Sequence, residues 1–187
     1  MIRSCARPGR SKPRGQSLVE FALVVPILAV LLMSILQIGL LFFAQVGLTN
    51  AAREAARNAS SIPVTTAAGA LAAADTYYGR LTDSSTGFLK RNVGFYSPAA
   101  LVKTGIPRTQ VCYYKFTDAT ASTSIMARVR VEYSHPLFIP LISQILDGFD
   151  GANDGGYRLG ASEEIRVSNL NLTATDIPDV ASPVCNT

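Results

Sequence analysis

The chain has 187 residues, 48% of them hydrophobic and 16% charged, with a formal net charge of +4. The excess is local: Arg3, Arg7, Arg10, Lys12 and Arg14 precede every acidic residue, and after Gly15 there are 12 basic against 13 acidic residues, a formal charge of −1. A basic leader on a neutral body excludes a nucleic-acid-binding surface, which needs a basic stripe with interleaved aromatics, so nucleic acid is not an expected partner.

The first element is an apolar run. Phe21 to Ala44 is 24 residues without a charge, and only Ser34 and Gln37 are clearly polar. About 20 apolar residues cross a hydrocarbon core of about 30 Å, so the run predicts a membrane-spanning helix. Pro26 can kink such a helix without breaking it. Five basic residues flank the N-terminal side, against the mixed Arg53, Glu54 and Arg57 on the other. The positive-inside rule puts the N-terminus in the cytoplasm and the bulk of the chain outside it. The run is too long for a secretory signal, and Phe43 to Gly47 makes a poor cut site. The small residue lies before the run instead, at Gly15.

The helix should continue past the membrane. Ala51, Ala52, Ala55, Ala56 and Ala59 recur at near-helical spacing, and Pro63 is the first firm stop. From about Ser17 to Ser60 such a helix is about 65 Å long. Its alanines can pack on the protein's own domain or admit a neighbouring helix in an assembly. Val64 to Tyr78 is alanine-rich and reads as a second helix, weakened by Gly69. Arg80 to Arg108 reads as irregular, punctuated by Gly87, Gly94, Pro98, Gly105 and Pro107.

Strands follow. Val111 to Phe116 is rich in β-formers. Ile125, Ala127, Val129, Val131 and Tyr133 alternate with polar or exposed positions, the mark of a half-buried strand. Thr117 to Thr123 would link the two as an antiparallel pair. Tyr157 to Val167 fits a third strand, with Leu159, Ala161, Ile165 and Val167 on one side. About 125 residues beyond the helix suffice for one small domain. The fold class expected is α+β: a long N-terminal transmembrane helix continuing outside the membrane, a second short helix and a small antiparallel sheet. The divisions are a leader over 1–15, a membrane helix over 16–44, its continuation over 45–62 and an α+β domain over 63–187.

Two segments between the strands stand out. His135 to Ile142 is very apolar for a loop; it reads as a short helix covering the sheet, or as a surface lying on the membrane or a partner. Asp147 to Gly156 concentrates oxygen ligands and glycines but lacks the terminal bidentate Glu of an EF-hand, so it reads as a solvated turn, with calcium binding as the alternative. Catalysis finds no support. His135 is the one histidine, Glu163 and Glu164 should point to opposite faces of a strand, and no nucleophile elbow or phosphate loop is present. No metal or cofactor is expected.

Cys5 lies in the leader, whereas Cys112 and Cys185 follow the membrane segment, where an oxidising compartment permits a disulfide. We expect these two to pair and tie the tail to the first strand; the bland reading is two small buried thiols.

One motif remains. Gly15-Gln16-Ser17-Leu18-Val19-Glu20-Phe21 places a glycine, four residues, a Glu and an aromatic at the mouth of the apolar run. A carboxylate there is costly, up to about 2.5–3.5 kcal/mol at mid-membrane, and is a functional hypothesis by default. The pattern resembles the prepilin cleavage site of type IV pilin-like proteins. Its continuation Phe21 to Pro26, and the stretch Leu48 to Arg57, resemble the TadE-like family, pseudopilins of the tight-adherence (Flp-type) pilus system. The resemblance covers about residues 15–60. It implies cleavage between Gly15 and Gln16 by a membrane prepilin peptidase, leaving Glu20 fifth in the mature chain beside Phe21. It also implies that Glu20 pairs with a free N-terminal amine, its own or a neighbour's. Physically, an isolated carboxylate in lipid needs a cation, and the new ammonium supplies one. Gln16 departs from the methylatable Phe of the best-known pilins, which puts methylation of the new terminus in doubt. The implied role is a minor subunit in pilus biogenesis and adherence in the bacterial inner membrane, with other pilins or pseudopilins and pilus assembly proteins as partners. The alternative is an uncleaved single-pass anchor carrying a periplasmic binding or sensor domain.

Overall fold

The computed structural model describes residues 15–105, 107–119, 123–150, 155–167 and 177–186. The basic leader and residues 151–154 of the glycine-rich segment weighed for calcium lie outside the described residues.

Helix α1 runs from Gln16 to Ala59, 44 residues with Pro26 inside it, about 66 Å at 1.5 Å per residue. It is long and apolar enough to cross a membrane. Its two halves meet different surroundings. From Gln16 to Leu36 no residue is buried, whereas Gln37, Ala44, Gly47, Leu48, Ala51, Ala52, Ala55, Ala56 and Ala59 are. The alanine stripe is therefore taken up by the protein's own domain, each of its residues being at most 1% exposed.

Helix α2 spans Ala67–Thr82, later than the sequence pattern placed it. Thr66 caps it, its hydroxyl accepting from the Gly69 amide at 3.1 Å. This stops the helix from starting at Val64 and puts Gly69 in the first turn. Ala70, Ala74, Tyr77 and Leu81 form its buried face. The stretch read as irregular contains a one-turn helix, α3, over Phe88–Asn92, and a 3-10 turn over Pro98–Ala100.

Strands β1 (Gln110–Thr117), β2 (Thr123–Pro136), β3 (Gly156–Arg166) and β4 (Val184–Cys185) form one sheet in the order β3-β2-β1-β4. All three pairings are antiparallel. Val111, Tyr113, Ile125, Ala127, Val129, Val131, Tyr133 and Leu159 are buried with the alanine half of α1 and the apolar face of α2 in one core. The Tyr113 hydroxyl donates to the Ala59 carbonyl at 2.9 Å, so the far end of α1 is tied to β1. Cys112 and Cys185 are opposite one another in the β1–β4 register and are joined by a disulfide. The α+β architecture matches the expectation.

Two local readings need correction. His135 and Pro136 are not in a loop: β2 continues through them, opposite Tyr157 and Gly156. A proline is tolerated there because β1 pairs with β2 only as far as Arg130, so at Pro136 the strand has β3 alone beside it. Helix α4, Pro140–Asp150, then runs into the segment read as a turn from Asp147, carrying Gly148 in its last turn.

Candidate assembly site at the head of the membrane helix

The residues singled out from the sequence, Gly15, Gln16, Glu20 and Phe21, lie together on the first two turns of α1, and all are exposed. Gly15 is the N-cap with φ −104° and ψ −16°. Its carbonyl accepts from the Val19 amide at 3.3 Å. A Cβ at this position would meet nothing within 4 Å. Neither backbone conformation nor packing requires glycine here, in contrast to Gly47, where an added Cβ would fall 2.3 Å from the Asn92 carbonyl oxygen.

Helix geometry aims each side chain back toward the N-terminus, so residues i and i+4 meet. Glu20 obeys this: its Oε1 accepts from Gln16 Nε2 at 3.1 Å. The carboxylate thus reaches the level of residue 16, one turn back, near the positive end of the helix dipole. Phe21, 67% exposed, begins the apolar surface.

At the other end of that surface the domain takes hold of α1. Gln37 is buried, and its Oε1 accepts from the Phe138 amide at 3.2 Å, while its Nε2 has no partner among the described residues. Gln45 Nε2 donates to the Gly160 carbonyl at 2.9 Å. Glu54 accepts from Arg91 and from Asn92, each at 3.0 Å, pinning α3 to α1. Arg53 lies 3.7 Å from Glu163 on β3. Gln37 was visible as a lone amide in an apolar run, but its partner was not, because Phe138 is 101 residues away.

The neighbouring acids point apart. Glu163 faces α1, and Glu164 sits on the outer face of the sheet, accepting from the Tyr114 hydroxyl at 2.7 Å and from Arg128. Burial pushes the Glu164 carboxyl up, and the Tyr114 and Arg128 contacts overcome it, so it titrates below the usual carboxylate range. His135 is 1% exposed, with Nδ1 2.9 Å from the Pro136 carbonyl. Burial pushes its pKa down, and the Pro136 contact opposes this in part. Phe95 has φ 61°, a left-handed conformation that bulky residues rarely adopt. The Tyr133 hydroxyl holds it there, donating to the Phe95 carbonyl at 3.0 Å and accepting from the Ser97 amide at 3.2 Å. No group of three or more His, Cys, Asp or Glu placed to hold a metal ion occurs among the described residues.

No curated protein and no solved structure matches the chain. The model of the TadE-like protein family matches residues 15–57, the stretch that runs from the exposed glycine through most of the alanine stripe. The chain thus carries a TadE-like segment over those residues.

Proposed function

We propose that this protein is a minor, pseudopilin-like subunit of a tight-adherence pilus system, anchored in the bacterial inner membrane by α1 with its N-terminus cytoplasmic and its domain outside. A prepilin peptidase cuts between Gly15 and Gln16, and the mature subunit acts in pilus biogenesis and adherence. Its partners are that peptidase, other pilins or pseudopilins and the inner-membrane assembly proteins.

The observation that carries this reading is the first turn of α1. Gly15 is exposed, unstrained and free of close neighbours, so the fold itself has no need of glycine at that position. An enzyme that must close around the backbone supplies the need. Glu20 already reaches residue 16. Cleavage converts the Gln16 amide nitrogen into an ammonium one helical turn from this carboxylate. The new charge pair neutralises what is otherwise a lone carboxylate at the edge of an apolar helix. The pair forms within one chain or between a subunit and its neighbour.

Co-expression with a cognate prepilin peptidase followed by N-terminal sequencing tests the reading. The expected mature chain begins at Gln16, and Gly15→Leu blocks the cut. Met1 retained in functional protein would overturn it and favour the uncleaved anchored domain.

A further inference from the structure

We propose that the base of the domain is seated in the interfacial layer of the bilayer, with lipid covering a collar formed by Phe42, Phe43 and Val46 on α1 and by Phe95, Phe138 and Ile145 around it. The proposal rests on the reading that α1 crosses a membrane.

The collar is apolar surface that the chain leaves open. Its six members are 55–68% exposed. They ring one stretch of α1, from Gln37 to Val46, about 14 Å long. Phe138 donates its amide to Gln37. A Cβ at Gly94 would touch the Phe43 ring, at 2.9 Å. Phe95 and Phe138 meet edge to face with centroids 5.9 Å apart. On the other flank, Leu146 of α4 and Tyr157 of β3 line an apolar groove with Ile38, Leu41 and Phe42. The domain therefore begins at the level of Gln37 and not beyond the end of the apolar run.

Length decides what covers this level. The exposed apolar surface of α1 runs from Phe21 to Val46, and the next outward positions are Asn50, Arg53 and Arg57. Those 26 residues span about 39 Å, against about 30 Å for a hydrocarbon core and about 40–45 Å with the headgroup layers included. Counted from Phe21, the core ends near Leu40, so the excess of about 9 Å is the stretch from Leu41 to Val46, which carries the collar's α1 members. A bilayer extends sideways from the helix, so the medium that covers Phe42, Phe43 and Val46 also meets Phe95, Phe138 and Ile145. Among the described side chains of α4 the exposed positions, Gln144, Ile145 and Gly148, are uncharged. Phe95 adds an independent observation. Tyr133 holds its backbone in a left-handed conformation and the residue is 66% exposed, so the chain fixes an aromatic residue in an open position. An apolar helix face beside aromatic anchors is the form in which proteins lie on a membrane surface.

The chain has no tryptophan, so one introduced residue is an unambiguous reporter. Full-length Leu28→Trp, Phe116→Trp, Phe138→Trp and Ile145→Trp variants are reconstituted singly into phosphatidylcholine nanodiscs brominated either near the headgroup end of the acyl chain or near its middle. Position 28 lies in the span, and position 116 lies on β1 at the end tied to Ala59. The expected result is loss of emission at 138 and 145 with headgroup-end bromine, loss at 28 with mid-chain bromine, and no loss at 116. Unquenched emission at both 138 and 145 beside a quenched 28 overturns the collar while the span stands. An unquenched 28 refutes the span and the collar with it. Blue-shifted, unquenched emission at 138 that appears only when two chains share a disc means that protein covers the collar, and also overturns the proposal.

Discussion

The two halves of α1 belong to one unbroken helix and solve opposite problems. Below Gln37 the helix is large and apolar: Leu23, Ile27, Leu31, Leu32 and Ile35 are all more than half exposed. Toward its far end the buried face is small: Ala51, Ala52, Ala55 and Ala56 lie at or near zero exposure against the domain. Large side chains suit a medium that can flow around them, and small ones suit a rigid sheet that must come close. On the faces that meet these media, side-chain volume separates the two halves. A helix can therefore serve as anchor and as core within a single element, with Gln37 marking the change.

The largest way to break the contrast is at the far end of the domain. Cys112→Ser removes the disulfide that joins β1 to the two-residue strand β4. Loss of a native disulfide from a small domain typically costs about 2–5 kcal/mol. Thermal unfolding of the domain should shift down accordingly, while membrane insertion of α1 stays unchanged.

Two glycines of α1 sharpen the comparison within the helix itself. Gly47→Ala drives a Cβ to 2.3 Å from the Asn92 carbonyl, an overpacking that costs about 1–3 kcal/mol. Gly39→Ala meets nothing within 4 Å and should leave the domain's unfolding unchanged. Equal effects from the two would remove the distinction between the open side of the helix and the side that faces the domain.

His135 tests the boundary by pH. Its folded pKa is depressed, chiefly by burial, so the unfolded chain binds the proton more readily. Stability is fully present above the unfolded value of about 6.5 and declines as pH falls below it, by at most about 1.4 kcal/mol per pH unit for one proton. His135→Phe should flatten that part of the stability profile. The smallest effect is expected at Arg53→Gln. Arg53 is 63% exposed and lies 3.7 Å from Glu163, and such surface pairs contribute about 0–1 kcal/mol. Denaturant titration should find the midpoint nearly unmoved.

Much of this was legible in the sequence because the signals are periodic and local. The reading of α1 as Ser17 to Ser60 differs by a residue from Gln16–Ala59. The alternation from Ile125 to Tyr133 fixed the inner face of β2, and β3 begins one residue before the expected Tyr157. What stayed hidden depends on distant contacts. The turn α3 has five residues and gains its place from Glu54, 37 positions away. Strand β4 is two residues long and exists beside β1. The apolar spacing of Ile142, Ile145 and Leu146 carries α4 past the glycine-rich composition that suggested a turn. At the head of α1 the motif named the residues, but only the fold shows that Gly15 has no packing role and that Glu20 reaches back to residue 16.

The central claim is that the first turn of α1 serves assembly and not the stability of the domain. Glu20→Val in pilus-forming cells tests it most directly, since Glu20 is exposed and its carboxylate accepts from Gln16 of its own helix. The account predicts a chain that is inserted, cut after Gly15 and folded with its disulfide intact, in cells that assemble few or no pili and adhere poorly. Normal pili and normal adherence from that variant would contradict it.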